Sequence, residues 1–234
     1  MADHPILILT RPERSARRFL NDLDLGPNVR VILSPLFRIE AAAVPIARLD
    51  GYDLIVTSEN ALNALADYSL TKDATIYCVG PRTAERAKAF SGNVVTGPGD
   101  AEALAGLIAQ HASRRPLLYL RGAEISFDLA AHLSSAGVPV EEVVAYHQRP
   151  LSLTDEAKEA LVTRTRTVMP LFSARSAVIA QTDASGWNNT CLVAISSKVA
   201  ALIDPSLGSV VVSPRPDGIG MRQAVETALT KDLS

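Results

Sequence analysis

Residues 7–40, LILTRPERSARRFLNDLDLGPNVRVILSPLFRIE, line up with residues 117–150, LLYLRGAEISFDLAAHLSSAGVPVEEVVAYHQRP. Each stretch reads as an apolar strand, a turn carrying arginine, an amphipathic helix, a second turn, a second strand and an extended tail. The match continues in order along the chain. DLIVTSENALNAL pairs with VMPLFSARSAVIA, IYCVGPRTAERA with CLVAISSKVAAL, and NVVTGPGDAEALAGLI with SVVVSPRPDGIGMRQAVETAL, at a steady offset of about 110–116 residues. One such match arises easily among α/β strands. Four in the same order define a duplicated chain of units A-B-A′-B′.

The repeat alternates strands with helices, the pattern of parallel α/β architecture. Strands are expected at 6–10, 29–33, 53–58, 75–80 and 93–96, and again at 117–122, 140–146, 167–173, 191–196 and 209–213. Several are nearly unbroken in Val, Ile and Leu, as strands covered on both faces are. Pro170 demands an edge or a bulge, because proline brings no N–H to a ladder. Helices are expected at 12–23, 60–68, 81–90, 101–112, 124–136, 154–163, 175–181, 198–203 and 220–229. The first is opened by Thr10-Arg11-Pro12-Glu13, which has the form of a capping box. The order of units leaves two pairings open. A can pack with B, giving sequential domains, or A with B′ and B with A′, so that the chain crosses twice. The crossings then fall at 34–45 and 143–153 and can pair as a short antiparallel ladder. We prefer this arrangement, since neither segment has the Gly/Ser-rich composition of a flexible linker.

A length of 234 residues fits two modest domains, and a 47% hydrophobic, 21% charged composition is that of a globular chain. A net charge of −2 supplies no overall field to draw in nucleic acid or an anionic membrane surface. The N-terminal apolar run is short and is followed, not preceded, by basic residues, which is not the layout of a signal peptide. No stretch approaches the ~20 apolar residues of a membrane span. Cys78 and Cys191 fall in the apolar runs IYCVG and CLVAIS and read as buried reduced thiols, so a cytoplasmic location is expected. With no apolar interface stripe in view, a monomer is the default.

In open parallel sheets, ligands bind beyond the carboxyl ends of the strands, where turns lead into helix N-termini. Those turns are Thr10-Arg11-Pro12, Thr57-Ser58-Glu59-Asn60, Gly80-Pro81-Arg82-Thr83, Arg121-Gly122, Ser173-Ala174-Arg175-Ser176, Ser196-Ser197-Lys198 and Ser213-Pro214-Arg215. Hydroxyls there serve as N-caps, and free amides carry the positive end of the helix dipole. An Arg or Lys in six of the seven turns points to a cleft for a polyanion, against the simpler reading of caps and solvated arginines. Other chemistries lack support. The four histidines are scattered, so no metal site is expected, and no Walker A lysine, GxGxxG or GxSxG is present. Gly97-Pro98-Gly99 before a helix is a weak phosphate-loop signal without a counterpart in the repeat. Ser58, Ser173 and Ser197 read as caps rather than nucleophiles. Tyr146, in VVAYHQRP, lies at the second crossing, where it either packs a hinge or faces a cleft.

These residues resemble the uroporphyrinogen-III synthase family over essentially the whole chain. The landmarks are LILTRPE, PLFRIE, DLIVTSENAL, VGPRTAERA, LLYLRG, VVAYHQRP, LFSARSA and the closing DGIGMRQAV. The resemblance implies two Rossmann-like (flavodoxin-like) parallel-sheet domains joined by a two-stranded antiparallel linker. Domain one would span 1–36 and 152–234, domain two 46–144, with 37–45 and 145–151 as linker strands. It implies a cofactor-independent lyase that dehydrates and cyclises hydroxymethylbilane, a linear tetrapyrrole with eight carboxylates, while inverting its last ring. Tyr146 matches the family's proposed acid. Thr83 matches a family position implicated in binding, Ser58 and Ser173 match the serines of the family's strand-end T-S and F-S turns, and Arg121-Gly122 match a bacterial R-G turn. Thr10, Arg11, Gly80 and Asn60, which stands where some relatives have arginine, are taken as binding candidates with them. The family's second G-P-T-T-A loop stands here as Ser196–Ala200, which leaves Ser197 or Lys198 to replace its threonines. Transient contact with the preceding pathway enzyme is a further expectation. The competing readings are a non-catalytic two-lobed binding protein for a small polyanion and a flavin- or nucleotide-dependent enzyme.

Overall fold

The computed structural model describes residues 4–45, 49, 51–66, 68, 70–71, 73–111, 115–182 and 186–230. Among them the strands are β1 (Ile6–Leu9), β2 (Arg30–Leu33), β3 (Phe37–Ala41), β4 (Asp53–Val56), β5 (Thr75–Cys78), β6 (Asn93–Thr96), β7 (Leu117–Gly122), β8 (Val140–Pro150), β9 (Thr167–Leu171), β10 (Thr190–Ala194) and β11 (Ser209–Val212). The helices are α1 (Glu13–Asn21), α2 (Pro81–Ala87), α3 (Ala101–Gln110), α4 (Leu129–Ser135), α5 (Asp155–Val162), α6 (Ala174–Ala180), α7 (Ser197–Ala200) and α8 (Gly218–Thr230).

The strands form two sheets, ordered β11-β10-β9-β1-β2 and β3-β8-β7-β4-β5-β6. Leaving out β3, the two orders are copies of each other. Each sheet joins the first two strands of one repeat to the last three strands of the other. Numbered along the chain, the first sheet has the order 2-1-3-4-5 and the second, which starts from the last three strands of its repeat, the order 3-2-1-4-5. Both are doubly wound orders, with these strand pairs parallel. β3 neighbours β8 and runs antiparallel to it: Ala42 N–H donates to Ala145 O, and Leu151 N–H to Leu36 O.

The chain divides into two compact units, Met1–Arg38 with Pro150–Ser234 (unit 1) and Ile39–Arg149 (unit 2). Alternating side chains divide each core between the two sheet faces. In unit 1, Ile6, Ile8, Met169 and Leu192 pack with α5 and α6, and Leu7, Leu9, Val168 and Val193 pack with α1 and α8. In unit 2, Leu54, Val56, Leu118 and Leu120 pack with α2, and Ile55, Tyr77 and Tyr119 pack with α3 and α4. Full burial of strands such as ILIL and DLIV explains their continuous apolar runs.

Several local expectations are overturned. Pro170 sits in β9, the middle strand of its sheet, in register with Val193. The register of β9 with β1 ends at Leu7–Val168, and the Thr10 hydroxyl donates to the Pro170 carbonyl at 3.3 Å. Within a strand the N–H and C=O of one residue face the same neighbour, so the missing N–H falls where the β1 ladder has already lapsed. That bond also dissolves the expected capping box: α1 begins at Glu13 behind Pro12, with no side-chain cap. The helix expected at 60–68 is a single 3-10 stretch, Ala61–Leu65, and Asp67 lies outside the described residues. The helix expected from 124 begins at Leu129, because Asp128 accepts from Ala131 N–H and caps there. The end of the helix expected at 101–112 also lies outside the described residues. Ser196, not Ser197, caps α7.

Candidate active site

Unit 2 carries a hollow of about 350 Å³ at the carboxyl ends of its strands. This is the low end of the ~300–1,000 Å³ typical of small-molecule sites. Its floor is made by Thr57 and Ser58 after β4, Tyr119 and Gly122 of β7, and Tyr146 of β8. Its rim is Gly99–Ala101 at the start of α3 and Glu124–Phe127, the residues that α4 leaves as loop.

A β-bulge aims Tyr146. The β7–β8 register advances one for one to Arg121–Val144, then jumps to Gly122–Tyr146. Bulges of this kind re-aim a side chain. Ala123 N–H donates to Tyr146 O at 2.9 Å and pins the backbone there. The ring lies against Gly122 and is 6% exposed. Among the described residues its hydroxyl has no hydrogen-bond partner, although it borders the hollow. The Tyr146 hydroxyl is not among the buried unpartnered side-chain atoms, so it keeps accessible surface beside the hollow and is available to hydrogen-bond a ligand there.

Beside it, the Tyr119 and Thr57 hydroxyls are 2.9 Å apart. Tyr119 stands opposite Ile55, so Thr57 is its diagonal neighbour on the same face, within reach of a ring leaning along the strand. Burial pushes the Tyr119 phenol above its usual range, against the Thr57 hydrogen bond, and the neighbouring Tyr146 adds to the rise. Arg121 braces the wall. Its guanidinium donates to Gly122 O at 3.0 Å and Ala123 O at 3.3 Å, with Nε 2.8 Å from Glu142 Oε1. That last contact is one of charge, since Nε is buried without an aligned acceptor. The charged residues lining the hollow are Asp100 and Glu124, and no Lys, Arg or His is among them.

Of the residues expected from the sequence, Ser58, Gly122 and Tyr146 meet in this hollow. Ser58 Oγ accepts from Asn60 N–H at 3.2 Å, and Asn60 opens the 3-10 stretch. Gly80 caps α2 and Thr83 is buried in its first turn. In unit 1, Thr10, Ser173 and Ser197 follow β1, β9 and β10. Thr10 is 2% exposed with its hydroxyl committed to Pro170. Ser173 caps α6 in a reciprocal pair with Ser176, while Ser197 and Lys198 are exposed. Arg11 stacks on the Phe172 ring at 4.4 Å and Arg175 on Phe37 at 5.0 Å. Arg215 pairs with Asp217 at 2.6 Å. Most of the arginines that prompted a basic cleft therefore have contacts within their own unit. The Gly97-Pro98-Gly99 loop spends two amides on β5: Gly97 N–H donates to Cys78 O and Gly99 N–H to Val79 O. Thr57 was expected only as part of the strand-end turn Thr57–Asn60, with no role of its own, and Tyr119 was not expected from the sequence. The available signal was a lone tyrosine near the end of an otherwise aliphatic strand, LLYL.

Two doubly wound α/β units, one bearing a tyrosine-floored hollow at its strand ends, define a small-molecule protein of flavodoxin-like construction. The family model for HEM4, uroporphyrinogen-III synthase HemD, matches residues 25–223. The chain belongs to the uroporphyrinogen-III synthase family, cofactor-independent lyases of haem biosynthesis. Its fold matches the uroporphyrinogen-III synthetase of Helicobacter pylori 26695, with a TM-score of 0.66 and 16% identity over 94% of this chain and 97% of that one. A mutant uroporphyrinogen III synthase from the extremely thermophilic bacterium Thermus thermophilus gives 0.50 and 15% identity over 97% and 99%. At such identities the likeness shows the shared fold. A comparison with the curated proteins finds no match. No described helix is long and apolar enough to cross a membrane.

Proposed function

We propose that this member of the family dehydrates and cyclises hydroxymethylbilane with its reacting centre at the unit 2 hollow and Tyr146 as the acid. The observation that carries the proposal is a bulge-aimed tyrosine, its body buried and its hydroxyl beside the hollow with no partner among the described residues. The C–O bond of the hydroxymethyl group breaks with its electron pair on oxygen, and the pyrrole nitrogen lone pair fills the carbon, giving an azafulvene cation. Tyr146 supplies the proton that releases the oxygen as water. The substituted α-carbon of the last ring attacks to give a spiro intermediate, whose opening and reclosure turn that ring over. The proton shed when the pyrrole regains aromaticity returns to the Tyr146 phenolate. An electron-rich pyrrole expels hydroxide readily, so little acid strength is needed. The larger demand is on position, since closure at the free α-carbon must be excluded.

Ser58 and Gly122 contribute to the floor under this reading, and Arg121 keeps the Gly122 turn in place. The remaining turns, at Asn60, Gly80 and Thr83 in unit 2 and at Arg11, Ser173, Ser197 and Lys198 in unit 1, are assigned to the carboxylates, while Thr10 is left to the fold. A monomer working in the cytosol, in transient contact with the enzyme that supplies the bilane, completes the proposal. The buried thiols Cys78 and Cys191 fit a reducing compartment. The test is to feed fresh hydroxymethylbilane to the purified protein and separate the uroporphyrin isomers after oxidation. Type III product is expected, and type I alone at the protein-free rate contradicts the proposal.

A further inference from the structure

Two hydroxyls bonded to each other carry two protons, and only one lies between them. Whichever of Thr57 and Tyr119 donates across their 2.9 Å contact, the other proton is left over. It has no partner among the described residues, and both side chains border the hollow that Tyr146 borders. The pair therefore presents a neutral donor in a fixed place. Tyr119 is locked by packing, at 2% exposure and with Leu104 and Leu129 in its core cluster, and its raised pKa keeps it protonated.

The lining shows what that donor meets. Asp100 and Glu124 are its charged members, and Asp100 Oδ1 is already held by Ala103 N–H at 2.7 Å. A substrate carboxylate entering here finds no cation among the lining residues. A neutral oxygen attached to a ring that turns cationic as the oxygen leaves is favoured instead. A single hydrogen bond from Tyr146 sets a distance but leaves that oxygen free to swing. A second donor from another strand fixes its direction, and with it the face the cation presents to attack.

We infer that the Thr57–Tyr119 pair is a second hydrogen-bond donor to the departing hydroxyl beside Tyr146, in a hollow that receives the reacting pyrrole and leaves the carboxylates outside it. This rests on the reading of the hollow as the reacting centre. The proton that leaves with the hydroxyl still comes from Tyr146. The pair only shares the developing negative charge on oxygen, and its own protons stay in place.

The experiment measures kcat and KM for Tyr119→Phe, Thr57→Val and Thr57→Ser beside Tyr146→Phe, with melting midpoints. A neutral donor of this kind is worth a roughly 3- to 10-fold loss of kcat. Tyr119→Phe and Thr57→Val should each show that loss with KM unchanged. Their double variant should be little worse than either, since they act as a unit. Thr57→Ser, which restores the hydroxyl, should recover most of the rate lost in Thr57→Val. A midpoint drop of about 2–4 °C with full kcat would mark the pair as packing alone and overturn the inference. A raised KM with unchanged kcat would overturn it too, by placing a ground-state ligand there. If Tyr119→Phe fails to fold, Thr57→Val decides. Slow Tyr146→Phe beside full-rate pair variants removes this inference only, whereas full-rate Tyr146→Phe removes the reading beneath it.

Discussion

The ring of Tyr146 fills the space that a side chain on residue 122 needs: a Cβ built on Gly122 lies 2.8 Å from Cζ and 2.9 Å from Oη. Real carbon contacts do not come that close, so any other residue at 122 must displace the ring. Gly122→Ala is expected to lower turnover at least as much as Tyr146→Phe and to cost about 1–3 kcal/mol of stability through overpacking. Steady-state kinetics with a urea midpoint check this. Wild-type turnover in Gly122→Ala would show that the position of the ring does not matter.

Thr10 separates two roles. Its hydroxyl satisfies the Pro170 carbonyl inside the sheet, and Thr10→Val keeps the shape while orphaning that carbonyl. The expected outcome is a loss of about 1–3 kcal/mol in urea unfolding with KM unchanged. A raised KM with unchanged stability would instead return Thr10 to the substrate.

Alkaline pH should weaken the fold. Burial pushes the Cys78 thiol up from 9.0 to about 12, and the Tyr119 and Tyr77 phenols rise for the same leading reason. The folded state holds these protons after the unfolded chain has lost them. Their contribution is therefore complete below about pH 9 and, for Cys78, is lost as pH rises from about 9 to about 12. Urea midpoints from pH 8 upward should fall, and fall less steeply in Cys78→Ala. Parallel curves for the two proteins would contradict the assignment.

The duplicated architecture was readable because apolar runs set strands, and the strands at 93–96 and 117–122 stand where expected. Much of what failed depended on contacts between distant residues. Pro170 looked confined to an edge because nothing local reveals that β1 has ended its ladder and that Thr10, 160 residues away, takes the carbonyl. The start of α4 went to Asp128 rather than Glu124 because a cap outweighs periodicity over one turn. Composition put arginines at the strand ends without showing that Arg11, Arg121 and Arg175 turn onto rings, carbonyls and Glu142 of their own unit. Thr57 and Tyr119 meet across 62 residues, and only the sheet register brings them together.

The central claim is that the Tyr146 hydroxyl does chemistry, and single-turnover kinetics of Tyr146→Phe with hydroxymethylbilane test it most directly. General acid catalysis of this type contributes about 10²–10⁴-fold, and departure of a good leaving group needs the low end of that range. The account predicts a loss on the order of 100-fold in the rate of type III formation, with an unchanged melting midpoint and unchanged substrate affinity. A Phe variant that closes the ring at the wild-type rate would reduce Tyr146 to a packing residue and contradict the account.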